Sequence, residues 1–407
     1  MNLMKKNLLL GLLVLVCMLS LSETTQAQCI QGADGKYYSL NGGECINTIV
    51  TAVPFLRIVS DARSGAMGDV GIAISPDANS IQFNSSKLVF AEDEGAIAAS
   101  YSPWLQALGL NDVYLAYLTG YKKINEDQAI TASLRYFSLG NIQYTDVNGE
   151  NLNEGRPNEF EVAVGYSRRL AENFSAGITG KFVYSNLAAG QQLEGGEVIE
   201  AGLAGAADFS ITYDNEIDLG ATDSDLTVAL AVSNIGSKIT YTKSLDRDFL
   251  PANLGLGAAW TLHLDDYNTL TFATDINKLL VPSPCLGGAA ECDLDGNQKT
   301  DYKEQSSIAA AFQSFGDAPN GFEEELRELM YSFGMEYWYD QQFAVRAGYF
   351  TEHATKGGRK FLTVGVGLKY NVFGLNFSYL VPTTNQRNPL DNTLRFSLLF
   401  DFANYNE

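Results

Sequence analysis

The sequence predicts an all-β fold: an antiparallel transmembrane β-barrel of about 14 strands, with an N-terminal lumen plug and a long, partly helical extracellular loop. Three observations predict it. Apolar and polar residues alternate with period two from about residue 95 onward, over stretches of about 10 to 16 residues, whereas ordinary strands average about 5 to 6. The non-greasy face of these stretches is rich in glycine, serine, threonine and charge, which a wet lumen tolerates and a dry core does not. The connections alternate between short and long, the asymmetry of outer-membrane barrels. A soluble sandwich would alternate in the same way, with its greasy face inward.

The N-terminus comes first. Lys5 and Lys6 precede an apolar run over residues 8–21, and Thr25-Gln26-Ala27 offers a small-x-small cleavage site. That is the pattern of a secretory signal peptide over residues 1–27, with the mature chain starting at Gln28. Cys29 raises a lipoprotein signal as the rival, but Gln28 fits a lipobox poorly. No later apolar run is long enough for a transmembrane helix. The formal net charge is −21, and removing residues 1–27 would make the remainder more acidic still. Such a surface repels phosphates, which argues against nucleic acid as a partner.

Residues 28–94 form an N-terminal segment and plug ahead of the barrel at residues 95–407. Strands are expected near 95–103, 111–124, 128–142, 158–170, 173–187, 199–214, 224–236, 249–263, 267–279, 330–340, 342–354, 359–370, 373–382 and 392–403. In FLTVGVGLKY, Leu362, Val364, Val366, Leu368 and Tyr370 alternate with Thr363, Gly365, Gly367 and Lys369. Such alternation puts one set of side chains on each face of a strand. Tight turns fall at Asn125-Glu126-Asp127, Ala171-Glu172, Asp265-Asp266, Asp340-Gln341 and Asn371-Val372. Longer links fall at 143–157, 188–198, 237–248, 280–329, 355–358 and 383–391. The link near 215–223 is too long for the short-turn side, a mild misfit. Tyr331, Phe333, Tyr337, Tyr339, Tyr349 and Tyr370 could supply interfacial girdles.

The insertion at 280–329 is the extracellular loop. Phe322, Leu326, Leu329 and Met330 fall at i, i+4, i+7 and i+8, one helical stripe, expected either to pack on the barrel rim or to dock a partner. Cys29, Cys45, Cys285 and Cys292 allow three pairings. The local one, Cys29–Cys45 with Cys285–Cys292, is favoured because each pair closes a short polar loop. The absence of CxxC spacing, with His263 and His353 far away in sequence, argues against zinc. Asp293, Asp295, Asn297, Asp301 and Glu304 sit at positions 1, 3, 5, 9 and 12 of a calcium-loop spacing, but position 6 is Gln298 where glycine is usual. The competing reading is a plain solvated acidic loop. No nucleophile elbow, phosphate loop or zincin motif occurs. The expectation is therefore a non-enzyme without a cofactor, calcium being the one candidate.

VPFLRIVSDARSGAMGDVGIAISPDANSIQFNSSKL, residues 53–88, resembles the N-terminal signature of the FadL-like outer-membrane barrels. More closely it resembles the PorV (LptO) family of the Bacteroidota type IX secretion system. The matching residues are Pro54-Phe55-Leu56, Asp61-Ala62-Arg63, Gly65-Ala66-Met67-Gly68-Asp69-Val70-Gly71 and Ser75-Pro76-Asp77-Ala78-Asn79-Ser80. One departure is visible: many relatives have Asn-Pro-Ala where this chain has Phe83-Asn84-Ser85-Ser86. The resemblance implies an outer-membrane shuttle. Its partners would be a type IX translocon barrel, the C-terminal signal domains of exported cargo, a sortase-like attachment complex and outer-membrane lipid. The alternative is a FadL-type channel for hydrophobic small molecules. Ahead of a barrel, Gly65, Gly68 and Gly71 would let the backbone approach the inner wall, with Ala62, Met67, Val70 and Ile72 packed in the lumen.

Overall fold

The computed structural model describes residues 29–105, 110, 112–145, 149–192, 196–218, 223–243, 247–286, 292–296, 300–383 and 393–402. The predicted signal peptide lies outside them. Fourteen strands close into a barrel. They are β1 Gly95–Pro103, β2 Val113–Asn125, β3 Gln128–Leu139, β4 Asn158–Ala171, β5 Phe174–Asn186, β6 Gly202–Asp218 and β7 Asp223–Gly236. They continue as β8 Asn253–His263, β9 Asn268–Leu279, β10 Met330–Tyr339, β11 Phe343–Thr351, β12 Lys360–Tyr370, β13 Phe373–Pro382 and β14 Leu394–Phe402. Each strand pairs antiparallel with its neighbour in sequence. The register Phe402↔Gly95 through Phe396↔Tyr101 joins β14 to β1, so no edge is left open.

The faces are inverted relative to a water-soluble protein. Leu362, Val364, Val366 and Leu368 of β12 are exposed, while Thr363 between them is buried. Phe396 and Leu398 of β14 likewise point out, with Arg395 and Ser397 in. A closed barrel with an apolar outer face and a polar interior satisfies every strand's hydrogen bonds internally, as a bilayer requires. Among the described residues no helix is long and apolar enough to cross a membrane; the crossing is made by strands.

The strands lie within a few residues of their expected positions. The misfit near 215–223 disappears because β6 runs on to Asp218 and β7 starts at Asp223, leaving only residues 219–222 between them. That connection joins the short-turn side, whose turns include Asp340 and Gln341, both with positive φ. The long connection after β3 carries a small hairpin that period-two reading missed, Ile142–Thr145 with Asn151–Gly155. Because the long connections share one end, the path of the N-terminal segment is fixed. Residues 29–52 lie at the long-loop end: Asn47 N–H donates to Thr355 O, and Ala52 N–H to Phe249 O. The chain then threads the lumen and leaves at the short-turn end, where Tyr121 Oη donates to Asp93 O just before β1.

The inversion has a direct consequence. Val164, at the middle of β4, is exposed on the outer face. Val164→Arg is expected to cost about 2–4 kcal/mol in lipid, measured by unfolding in vesicles. A cost near zero would mean that this face meets water.

Candidate functional site: the lumen plug and the loop end

The plug runs from Phe55 to Ala91. Pro54 opens a 3-10 turn, Pro54–Arg57, its fixed φ suiting a first helical position. Phe55 and Leu56 are buried, and Phe55 stacks near Phe137 of β3. Asp61 caps the short helix Ala62–Ala66, accepting from Ser64 N–H at 2.7 Å. Arg63 leaves this helix as a fork into the wall. Its Nε and Nη2 donate to the two carboxylate oxygens of Glu336 at 3.0 and 2.7 Å, and Nη1 reaches Asp77 at 3.2 Å. Glu336, on β10, also receives Arg346 Nε of β11 at 2.5 Å.

Further wall groups hold the plug backbone. Asp275 of β9 accepts from Gly71 N–H and Ile72 N–H at 2.7 and 3.0 Å. Thr363 of β12 accepts from Gly68 N–H and donates to Ala66 O. Arg135 of β3 donates to three plug carbonyls, those of Phe55, Leu56 and Ile58. Arg395 of β14 donates to Val59 O.

Apolar packing fills the space between. Met67, Val70, Ile72, Ala73 and Ile74 lie on wall alanines 229, 231, 259 and 273. Ala62 is fully buried. Gly68 has φ +70°, and a Cβ there would lie 2.6–2.7 Å from backbone atoms of Phe333 and Tyr349. Gly348 is the complementary gap in the wall, where a Cβ would come within 2.0 Å of Gly68 N. Gly65 abuts the Arg395 side chain and Gly71 the Phe83 ring. Asp69 faces Arg395 at 3.7 Å. Asp77 accepts from Asn79 N–H, closing the turn after Pro76. At the departing Phe83-Asn84-Ser85-Ser86, Asn84 Oδ1 accepts from both Ser86 N–H and Ser86 Oγ–H, and a 3-10 turn Ser86–Phe90 follows.

At the long-loop end the insertion carries helices Ser307–Gln313 and Phe322–Arg327. The expected stripe does not pack on the rim. The second helix ends at Arg327 and Met330 already belongs to β10, while Phe322 and Leu326 are 75% and 50% exposed. The helix instead turns its acids inward. Glu324 meets Lys356 at 2.5 Å, Glu325 meets Lys278 at 3.1 Å, and Glu328 contacts both lysines. The physical reason is that two buried lysines, Lys278 at the end of β9 and Lys356 in the connection before β12, need counter-charges, which outweighs burying two apolar side chains. Ile308 and Phe312 of the first helix are exposed as well. Sequence periodicity missed this because it reads only apolar spacing; the Glu324, Glu325, Glu328 spacing was the available signal.

Cys29 is bonded to Cys45, and Cys285 to Cys292. Asp293, Asp295 and Asp301 bring carboxylate oxygens within 4.8 Å of one another. Glu304, at the end of the turn Asp301–Glu304, does not join them, and Asn297 lies outside the described residues. Three carboxylates would be part of the six to eight oxygens calcium takes, which also come from carbonyls and water. His263 pairs with Asp225 at the short-turn end, and His353 caps the turn Ala354–Lys356 at the opposite end.

The comparisons now bear on this geometry. The family model for type IX secretion system protein PorV matches residues 42–286, spanning part of the N-terminal segment, the plug and nine strands. The chain belongs to the PorV family. PorV-family membership makes it an outer-membrane component of a type IX secretion system. Among solved structures it is similar to the Pseudomonas putida toluene transporter TodX, at 11% identity and a TM-score of 0.47, covering 87% of this chain and 98% of that one. It is also similar to the Ralstonia pickettii toluene transporter TbuX, at 10% identity and a TM-score of 0.46, covering 85% and 99%. A Pseudomonas aeruginosa FadL homologue gives 11% identity and a TM-score of 0.41, covering 88% and 99%. No curated protein matches the chain.

Two expectations follow for this PorV-family barrel. Glu336→Ala would leave Arg63 and Arg346 buried without their carboxylate, costing about 3–5 kcal/mol. Denaturant unfolding should record that loss, and limited proteolysis should cut the plug before the barrel opens. The second concerns Asp317, which accepts from Ser283 N–H. Burial, then Glu325 and Glu328, push its carboxyl up to about 6. A raised folded-state pKa stabilises below the ordinary aspartate range and loses that effect as pH rises through about 6. Asp317→Asn should flatten this dependence and tighten the loop at pH 7 by roughly 1 kcal/mol, discounted for solvent screening. Hydrogen exchange across residues 300–329 between pH 4 and 7 measures it.

Proposed function

We propose that this PorV-family barrel is the cargo-receiving shuttle of its secretion system. It takes exported cargo by the C-terminal signal domain at the translocon barrel and hands it to a cell-surface attachment complex with a sortase-like protease. The observation that carries this reading is the inverted helix pair at the long-loop end. Phe312, Phe322 and Leu326 are exposed, and Phe322 and Leu326 are held so by the inward glutamates of their helix on Lys278 and Lys356. Exposed aromatic side chains at the centre of a polar rim are the composition of a protein-docking surface.

The reading is non-enzymatic. Docking needs no catalytic centre, and the two histidines stand at opposite ends of the barrel. A channel for hydrophobic small molecules needs an apolar path through the lumen. Here residues 55–91 occupy it, hydrogen-bonded to the wall from several strands.

The test is secretion itself. Deleting the gene should trap cargo in the periplasm, and restoring the wild-type chain should release it. Restoring a Phe312→Asp, Phe322→Asp double variant should leave the barrel folded in the outer membrane while co-purified cargo falls at least tenfold. Normal secretion in the deletion strain would end the shuttle reading. Full cargo capture by the double variant would move docking away from these helices.

A further inference from the structure

Residues 29–47 touch the Phe322–Arg327 helix and the residue just before it. Lys36 meets Glu323 at 3.7 Å, and Glu44 meets Arg327 at 3.0 Å. Asn320 pairs its side-chain amide with the main chain of Tyr37. Its Oδ1 accepts from Tyr37 N–H at 2.7 Å, and its Nδ2 donates to Tyr37 O at 3.3 Å. Asn47 Nδ2 donates to Glu324 Oε1 at 3.2 Å. Both ion pairs have solvent-exposed carboxylates, and such pairs contribute little.

Asn47 is different, because it is only 3% exposed. Its side-chain amide also donates to Pro284 O at 3.2 Å, and its main-chain N–H to Thr355 O at 3.0 Å. One buried residue therefore joins the N-terminal segment, the base of the insertion, the helix and the connection before β12. Leaving any of these buried groups unpaired costs its full desolvation, so the junction fixes the four segments against one another. Glu324 is the shared acceptor on the helix, taking Lys356 Nζ on Oε1 and Asn320 N–H on Oε2.

The segment is fastened on both sides of this contact. Cys29–Cys45 closes residues 29–45, whose own pairing is three residue pairs and the bridge Tyr38–Glu44. A two-stranded hairpin of that size is marginal by itself. Downstream, Ala52 N–H donates to Phe249 O. Ile49, Val53, Phe55 and Leu56 share one buried cluster with Val281 and Ala310. The chain is thus refastened to the rim before it enters the lumen.

We infer that residues 29–47 form a strap that fixes the pose of the Phe322–Arg327 helix, with Asn47 as its positioning residue and Cys29–Cys45 as the staple that keeps Tyr37 on Asn320. Lys278 and Lys356 hold the helix from within, and the strap holds it from a second side. The strap acts on the helix and not on the plug, because residues 49–53 are anchored in their own right. It stands whether or not that helix docks cargo.

Hydrogen exchange of the full chain in lipid nanodiscs tests this. Asn47→Ala should speed exchange over residues 320–327 about tenfold, the effect of losing a buried hydrogen bond to a charged group. Asn47→Asp sets a carboxylate against Glu324 and should speed it further. Adding Glu324→Gln to Asn47→Asp returns a donor to the pair, while Lys356 keeps Glu328. Exchange should then slow again toward wild type, a reciprocal rescue that a packing role would not give. Cys29→Ser with Cys45→Ser should loosen residues 29–45 and 320–327 together. In every variant, protection over residues 55–91 and the strands should match wild type. Unchanged exchange over 320–327 in both Asn47→Ala and the double serine variant would overturn the inference. So would failure of Glu324→Gln to rescue Asn47→Asp, or a plug that loosens in step with the helix.

Discussion

The carboxylate of Glu336 joins plug to wall, and the rest of the interior is arranged around that kind of contact. A barrel whose outer face meets lipid must turn its polar residues inward. An inward charge with no water beside it costs several kcal/mol unless it is paired. The wall supplies Arg135, Glu161, Asp275, Glu336, Arg346 and Arg395, all buried. Wall groups satisfy one another only in part: Arg135 pairs with Glu161 across the wall, but Glu336 has two arginines, and one of them, Arg63, comes from the plug. Asp275 accepts from plug amides and Arg395 donates to a plug carbonyl. The plug is thus the counter-structure that makes a charged lumen tolerable, and the two fold as one interior.

Close approach sets the remaining constraint. Plug amides reach wall side chains only if the backbone lies nearly against the sheet, which leaves no room for Cβ at Gly68 or Gly348. The same closeness explains why alanines line the wall where Met67, Val70 and Ile72 press on it. Large inward side chains would lift the plug away and break the hydrogen bonds that hold it.

Much of this was legible in sequence. The period-two alternation located all fourteen strands, because face alternation is a property of the strand itself and needs no tertiary context. The glycine-punctuated stretch from Gly65 to Gly71 was legible as a segment of close approach. The ion pairs were not. Arg63 and Glu336 are 273 residues apart, and nothing in either local sequence names the other. Which way the Phe322–Arg327 helix faces was left open between rim packing and docking for a related reason. Its apolar spacing fits either face, and the orientation is decided by Lys278 and Lys356, which come from β9 and from the connection before β12. Lys278 precedes the helix by more than forty residues, and Lys356 follows it by about thirty.

That orientation carries a cost that bears on function. Fully burying a phenylalanine or leucine side chain stabilises by about 1.5–3 kcal/mol, and this helix forgoes that for Phe322 and Leu326. Lipid does not recover it simply by position, since these residues belong to the loop end and the lipid-facing band is formed by the strands. The insertion also carries many more acidic than basic residues, which disfavours phosphate-bearing headgroups. What remains is a set of exposed apolar side chains on an acidic insertion. The lysine pairs fix its direction before any partner arrives, so docking does not have to order the helix. A pre-set surface of this kind is what the proposed shuttle role would need, since a subunit that binds one folded domain after another gains from not reordering its docking face each time.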